Sequence, residues 1–104
     1  MLRRVAKTHG VQGSLLIAIK DCENGTAQPD RKTNLWDGYY YTASGLFMFT
    51  DPTWIATRLA MGQPDPHLEL KHNNLEQAHT AAWKIANGGL SAWDSSRWCW
   101  QDKI

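Results

Sequence analysis

From Gly13 the apolar positions fall at helical spacing. Leu15, Leu16, Ile19 and Cys22 make one stripe, Ser14 can cap its start, and Asn24-Gly25 ends it. Residues 24–38 read as a long polar loop with turn signals at Pro29-Asp30 and Asp37-Gly38. Tyr39-Tyr40-Tyr41-Thr42 leans towards β structure. With Gly45-Leu46-Phe47-Met48-Phe49 it predicts a short hairpin or extended segment. Asp51-Pro52 starts a second helix, with aspartate as the cap and proline at the first helical position. That helix runs to about Met61, where Gly62 stops it. Pro64 and Pro66 mark a connector. A third helix is predicted from Asn74 to Ala86, with Leu75, Ala78, Ala82 and Ile85 on its apolar face and Trp83 beside it, stopped by Asn87-Gly88-Gly89. The closing stretch from Trp93 to Trp98-Cys99-Trp100 is too aromatic to be a loose tail and is expected to pack back. Residues 1–12 read as a tail or linker remnant and 13–104 as the domain. The fold class expected is mainly α (α+β), helical with one short β or extended segment.

Composition narrows the classes. A chain of 104 residues is one domain's worth, and 42% hydrophobic content excludes a disordered tail. A net charge of +1 gives no electrostatic footprint for nucleic acid. Arg3, Arg4 and Lys7 cluster locally, which reads as a solvated terminus or, less simply, as attraction to an anionic cell wall or phospholipid. No apolar run nears the roughly 18 residues a membrane span needs; Leu15–Ile19 is too short, and no signal-peptide cleavage site is evident. Six tryptophans and three tyrosines suggest aromatic faces for a carbohydrate or nucleic-acid groove as well as a core. Cys22 and Cys99 lack zinc or redox spacing. They are either two buried thiols or a single disulfide, the better staple for a small domain, and the second would suit an oxidising compartment.

Glu23 carries the chemistry. Four residues after Ile19 it lies on the apolar stripe, and it is in the last helical turn. Burial and the negative helix end both disfavour the charged carboxylate. A carboxylic acid kept protonated near neutrality is what protonation of a glycosidic oxygen requires. The plainer reading is a solvated helix-end glutamate.

The neighbouring motifs favour the first reading. Cys22-Glu23-Asn24-Gly25 resembles the Cys-Glu-Ser-Gly of resuscitation-promoting factors, and Asp37-Gly38-Tyr39-Tyr40 resembles their Asn-Gly-Tyr-Tyr. Ala43-Ser44-Gly45-Leu46-Phe47-Met48-Phe49 is similar to the Ala-Ser-Gly-Leu-Met-Gln signature of soluble lytic transglycosylases. Thr53-Trp54 stands where resuscitation factors carry Ser-Thr-Trp, and Ala86-Asn87-Gly88-Gly89 near the transglycosylase Tyr-Asn-Ala-Gly. The resemblance spans roughly residues 13–100. It implies a two-lobed lysozyme-like fold, Glu23 as the catalytic residue, and substrate contacts at Tyr39, Tyr40, Ser44, Met48, Thr53 and Asn87. It also implies a Cys22–Cys99 disulfide, since a cysteine among tryptophans closes the resuscitation-factor domain. Three departures stand out: Met48 replaces a glutamine, Ala86 replaces a tyrosine, and the loop after Glu23 is longer.

The expected activity is cleavage of the β-1,4 bond between N-acetylmuramic acid and N-acetylglucosamine in peptidoglycan, outside the cytoplasm, by a monomer without cofactor or stable membrane insertion. A hydrolase would need a second carboxylate, from Asp30, Asp37 or Asp51; with Asp51 better used as a cap, the single-acid transglycosylase route is more economical. The alternatives are a hydrolysing muramidase and a binding module that lost activity, which the changes at Met48 and Ala86 would suit. Trp54, Trp83 and Trp93 are expected in the core. His72, Glu76 and His79, with His67 nearby, share a helical face that could hold a metal, but solvated polar residues are the better reading and no metal is assigned.

Overall fold

The computed structural model describes residues 1–25 and 42–104. Helix α2 (Gly13–Glu23) follows from the stripe: Leu16, Ala18 and Ile19 are buried. Its cap residue is Gln12, in extended conformation, and not Ser14, which lies inside the helix. Asn24 ends it, its backbone N–H donating to the Lys20 carbonyl.

The chain ahead of α2 departs from expectation. Leu2–His9 is a helix, α1, and not a tail. Val5 and Ala6 are buried against α2 and the helix of residues Asn74–Ala86, while Arg3, Arg4 and Lys7 face solvent. Leu2, Val5, Ala6 and His9 keep i, i+3, i+4, i+7 spacing, the pattern of one helical face, which the flanking basic residues obscured. Gly10 stops the helix in the left-handed region, at φ 70°.

The hairpin expected over residues 39–49 is reduced, within its described part, to one antiparallel bridge between Ser44 and Phe49. Ser44 N–H donates to the Phe49 carbonyl at 3.0 Å, and Met48 N–H to the Gly45 carbonyl at 3.1 Å. Gly45 (φ 89°) and Met48 (φ 51°) are both left-handed. The chain therefore reverses within six residues instead of running on as a ladder. Leu46, Phe47 and Phe49 all enter the core. The described residues are thus mainly helical, with no named strand.

Helix α3 (Asp51–Ala60) starts one residue earlier in its capping logic than expected. Thr50 is the cap, its hydroxyl accepting from Thr53 N–H, with Asp51 and Pro52 in the first turn. Trp54, Thr57 and Arg58 are buried. The Trp54 indole N–H donates to the Pro66 carbonyl at 3.1 Å and so fastens the connector. After a short 3-10 turn at Leu68–Leu70, α4 (Asn74–Ala86) is capped by the Asn73 side chain. It buries Gln77, Ala78, Thr80, Ala81 and Ala82. Leu75, assigned to that face, is 49% exposed. The true face is rotated towards small and polar residues because α1 and α3 pack close against it.

The C-terminal segment packs back as expected. It comprises the 3-10 stretch Leu90–Ser96, helix α5 (Arg97–Trp100) and the turn Gln101–Lys103, with Trp93 and Trp100 buried. Phe49 stands edge-on between Trp54 and Trp93, with ring centroids 5.6 and 5.7 Å away. This geometry favours aromatic pairs beyond simple area burial. Trp54 and Trp93 are core, as expected, and Trp83 is half-buried. Trp98, by contrast, is 81% exposed.

Candidate functional site

Glu23 is the last residue of α2 and is half-buried. One of its carboxylate oxygens accepts a hydrogen bond from the Ser96 hydroxyl at 2.7 Å. Among the described residues, three ties hold this helix end. Cys22 is bonded to Cys99, with Cα atoms 6.0 Å apart across 77 residues of sequence. Ser96 closes over the carboxylate from the C-terminal segment. Asn24, fully buried, donates its side-chain amide to the Gly45 carbonyl at 3.2 Å. A buried asparagine must satisfy its amide, so this last bond fixes the helix end to the turn carrying Ser44 and Met48.

That turn is itself built on α4. Gln77, buried, donates to the carbonyls of Ser44 (3.2 Å) and Lys71 (2.7 Å), and its own carbonyl oxygen accepts from Phe47 N–H. Three backbone groups thus depend on one side chain. The Ser44 hydroxyl and His72 Nε2 are 2.9 Å apart, with serine buried and histidine exposed. Met48 is half-buried at the turn.

The remaining predicted contacts divide. Thr53 sits in the first turn of α3, where it accepts from the Thr50 hydroxyl at 3.0 Å. Asn87, exposed, ends α4 and donates its side-chain amide to the Trp83 carbonyl at 2.8 Å, a helix-capping role. Tyr39 and Tyr40 lie outside the described residues, as do Asp30 and Asp37. Through Asn24 the helix end that bears Glu23 is tied to the turn that carries Ser44 and Met48, while Thr53 and Asn87 are engaged in local capping.

Asp51 does not cap α3. Its carboxylate is 2.6 Å from the Lys71 ammonium, which also donates to the Thr42 carbonyl at 2.6 Å. The Lys71 side chain is 4% exposed and that of Asp51 40%, so a buried ammonium meets a partly exposed carboxylate, and the pair ties the turn, α3 and the approach to α4 together. His72, Glu76 and His79 do not form one cluster. Helix α4 begins only at Asn74, so His72 is off its face. Glu76 bonds the Arg58 guanidinium at 3.0 Å, and His79 Nδ1 faces His9 Nε2 at 2.9 Å. Burial and the neighbouring His79 hold the His9 imidazole below the ordinary histidine value.

Ser96 and Gln77 were missed by sequence reading. Ser96 lies 73 residues from its partner, and no local pattern announces such a contact. Asn24 was legible only as a helix end. Compared with family models, curated proteins and solved structures, the chain gives no match.

Proposed function

We propose that this chain cleaves peptidoglycan glycan strands at the bond between N-acetylmuramic acid and N-acetylglucosamine, as a lytic transglycosylase with Glu23 as its single acid and base. The observation that carries the reading is a half-buried glutamate at a helix end, held by a disulfide at the preceding residue and by a hydroxyl on its carboxylate. A surface glutamate needs no such fastening; a proton donor held against a scissile bond does. Glu23 first protonates the leaving oxygen. As a carboxylate it then takes the proton of the muramic acid's own 6-hydroxyl, whose oxygen closes on C1 to give a 1,6-anhydro end. The salt bridge to Lys71 engages Asp51, one of three candidates for a second carboxylate, and so favours the single-acid route. The lysozyme-like arrangement in two lobes, with Tyr39 and Tyr40 at the groove, belongs to this same proposal.

A disulfide suits an oxidising compartment, and among the described residues no helix is long and apolar enough to cross a membrane. Both agree with action at the cell wall. The test is mass spectrometry of muropeptides released from purified sacculi by wild type and by Glu23→Gln. Anhydro ends are expected from wild type, with release falling at least about 100-fold in the variant, the lower range for general acid catalysis. Reducing ends would mean hydrolysis, and full activity in a folded Glu23→Gln protein would remove Glu23 from the mechanism.

A further inference from the structure

The Ser96 hydroxyl has one proton and two acceptors. It lies 2.7 Å from the Glu23 carboxylate and 3.2 Å from the Trp93 carbonyl. A hydroxyl can donate to only one of them at a time, but it can accept as well. The Trp93 carbonyl does not depend on Ser96, because the Trp100 indole N–H also donates to it, at 3.1 Å. That carbonyl stays bonded whichever way the serine points.

We propose that Ser96 is a positioning residue that satisfies Glu23 in both of its protonation states. With Glu23 protonated, the acid donates to Ser96 Oγ and the serine proton points to the Trp93 carbonyl. Once Glu23 has given up its proton, the serine hydroxyl turns and donates to the carboxylate. No proton leaves Ser96; only its acceptor changes. A residue that must act as acid and then as base needs such a partner, since a fixed donor such as an N–H would favour the carboxylate alone. This inference rests on the reading of Glu23 as acid and base.

The geometry is built to last through the exchange. Trp93 is buried, and its indole N–H donates to the Phe47 carbonyl at 3.0 Å. Cys99, three residues beyond Ser96, is bonded to Cys22 beside Glu23. Both sides of the 2.7 Å contact are therefore anchored independently of it. Among the described residues, Lys20 is paired with Asp21 on α2 at 2.7 Å, and Asp94 with Arg97 on the C-terminal segment at 3.1 Å. Asp102 and Lys103 lie on the last turn, which also packs against α2.

The test uses the intact, oxidised chain and ¹³C NMR of the Glu23 side-chain carboxyl across pH, in wild type, Ser96→Ala and Ser96→Thr. The donor to the carboxylate is worth more than the bond to the neutral acid. Its loss in Ser96→Ala should move the Glu23 midpoint up by about one pH unit, and threonine should restore it. In wild type, the backbone carbonyl carbon of Trp93 should titrate with the Glu23 midpoint, a readout that needs no variant. Release from sacculi should fall about tenfold in Ser96→Ala with its pH profile displaced the same way. An unchanged midpoint in Ser96→Ala, or a Trp93 carbonyl blind to Glu23, overturns the proposal. If wild type releases nothing from sacculi while the NMR shifts appear as expected, the coupling stands and the enzymatic reading falls.

Discussion

At the scale of single residues, Gly45 is the position where backbone and packing demand the same thing. Its φ is 89°, and a Cβ built there would fall on the Gln77 amide. That amide is the end of a flexible side chain, but it cannot withdraw freely, because it holds the backbone at Ser44, Phe47 and Lys71. Gly45→Ala should therefore cost about 3 kcal/mol or more, combining left-handed strain with displaced hydrogen bonds. In a Gln77→Ala background the same change should cost only about 1–2 kcal/mol, the backbone part. A double-mutant cycle by urea denaturation measures the difference, and strict additivity would mean the amide is not the obstacle. The sequence showed a glycine in a turn here but not its partner. The places of Glu23 and Cys22 at the end of α2 were legible because their signal is local: one apolar stripe and one helix end. Ser96 and Gln77 were not. A buried polar residue is written like a surface one, and only the fold says which backbone groups it must serve.

At the scale of elements, α2, α3 and α4 were readable to within a residue or so, because periodicity and stop signals agreed. Caps were read less well: Thr50 and Gln12 took the places given to Asp51 and Ser14. Helix α1 was missed although its apolar spacing is helical, because basic residues fill the rest of so short a segment. Its polar tie to the body of the molecule is the His9–His79 contact with α4, half-buried at both ends. One imidazole must donate and the other accept, so the contact tolerates at most one proton beyond neutrality. His9 is held below its ordinary value by burial and by His79. Above about pH 6.5 it is neutral in both folded and unfolded states, and its contribution is complete. As pH falls through that unfolded value towards the lowered folded one, the unfolded chain takes up the proton first and stability is lost. The loss should be modest, at most about 1 kcal/mol for a partly exposed neutral hydrogen bond. Comparing wild type with His9→Gln by denaturation at pH 7.5 and 5.5 isolates it: wild type should weaken more over that interval. Glu69 does not interfere. The hydrogen bond from His67 holds its carboxyl below the usual range, so it stays ionised across the window. Equal losses in both proteins would show that the pair carries no pH dependence.

At the scale of the whole molecule, the Cys22–Cys99 bridge joins the end of the second helix to the closing aromatic segment, enclosing most of the chain. The cysteines were visible in the sequence, but two widely spaced thiols do not declare a bond. The small domain's need of a staple favoured one and the resemblance to a disulfide-closed family added to it, and the fold satisfies the expectation with Cα atoms 6.0 Å apart. A closed loop of this length stabilises by about 4.5 kcal/mol in the chain-entropy model, an upper-end figure. A domain of this size holds only about 5–15 kcal/mol in all, so the bridge is a large share of it. The consequence should be uneven along the chain. Trp93 has further anchors, the Phe47 carbonyl and the flanking aromatic rings, whereas residues 101–104 are exposed and Arg97 and Trp98 face solvent. Thiol titration of the unfolded protein should find none before reduction and two after it; two beforehand would sink the bond itself. Reduction of the folded protein should lower stability by about 2–4.5 kcal/mol. It should also open the chain after Arg97 to trypsin before the core gives way. Because Ser96 adjoins that site and bonds the Glu23 carboxylate, the proposed release of glycan fragments should decline at temperatures where the reduced core is still folded. Reduced protein that keeps full stability and resists cleavage at Arg97 would show that packing alone holds the segment. The bridge would then be a lock on an already fastened end and not the tie that aligns Glu23.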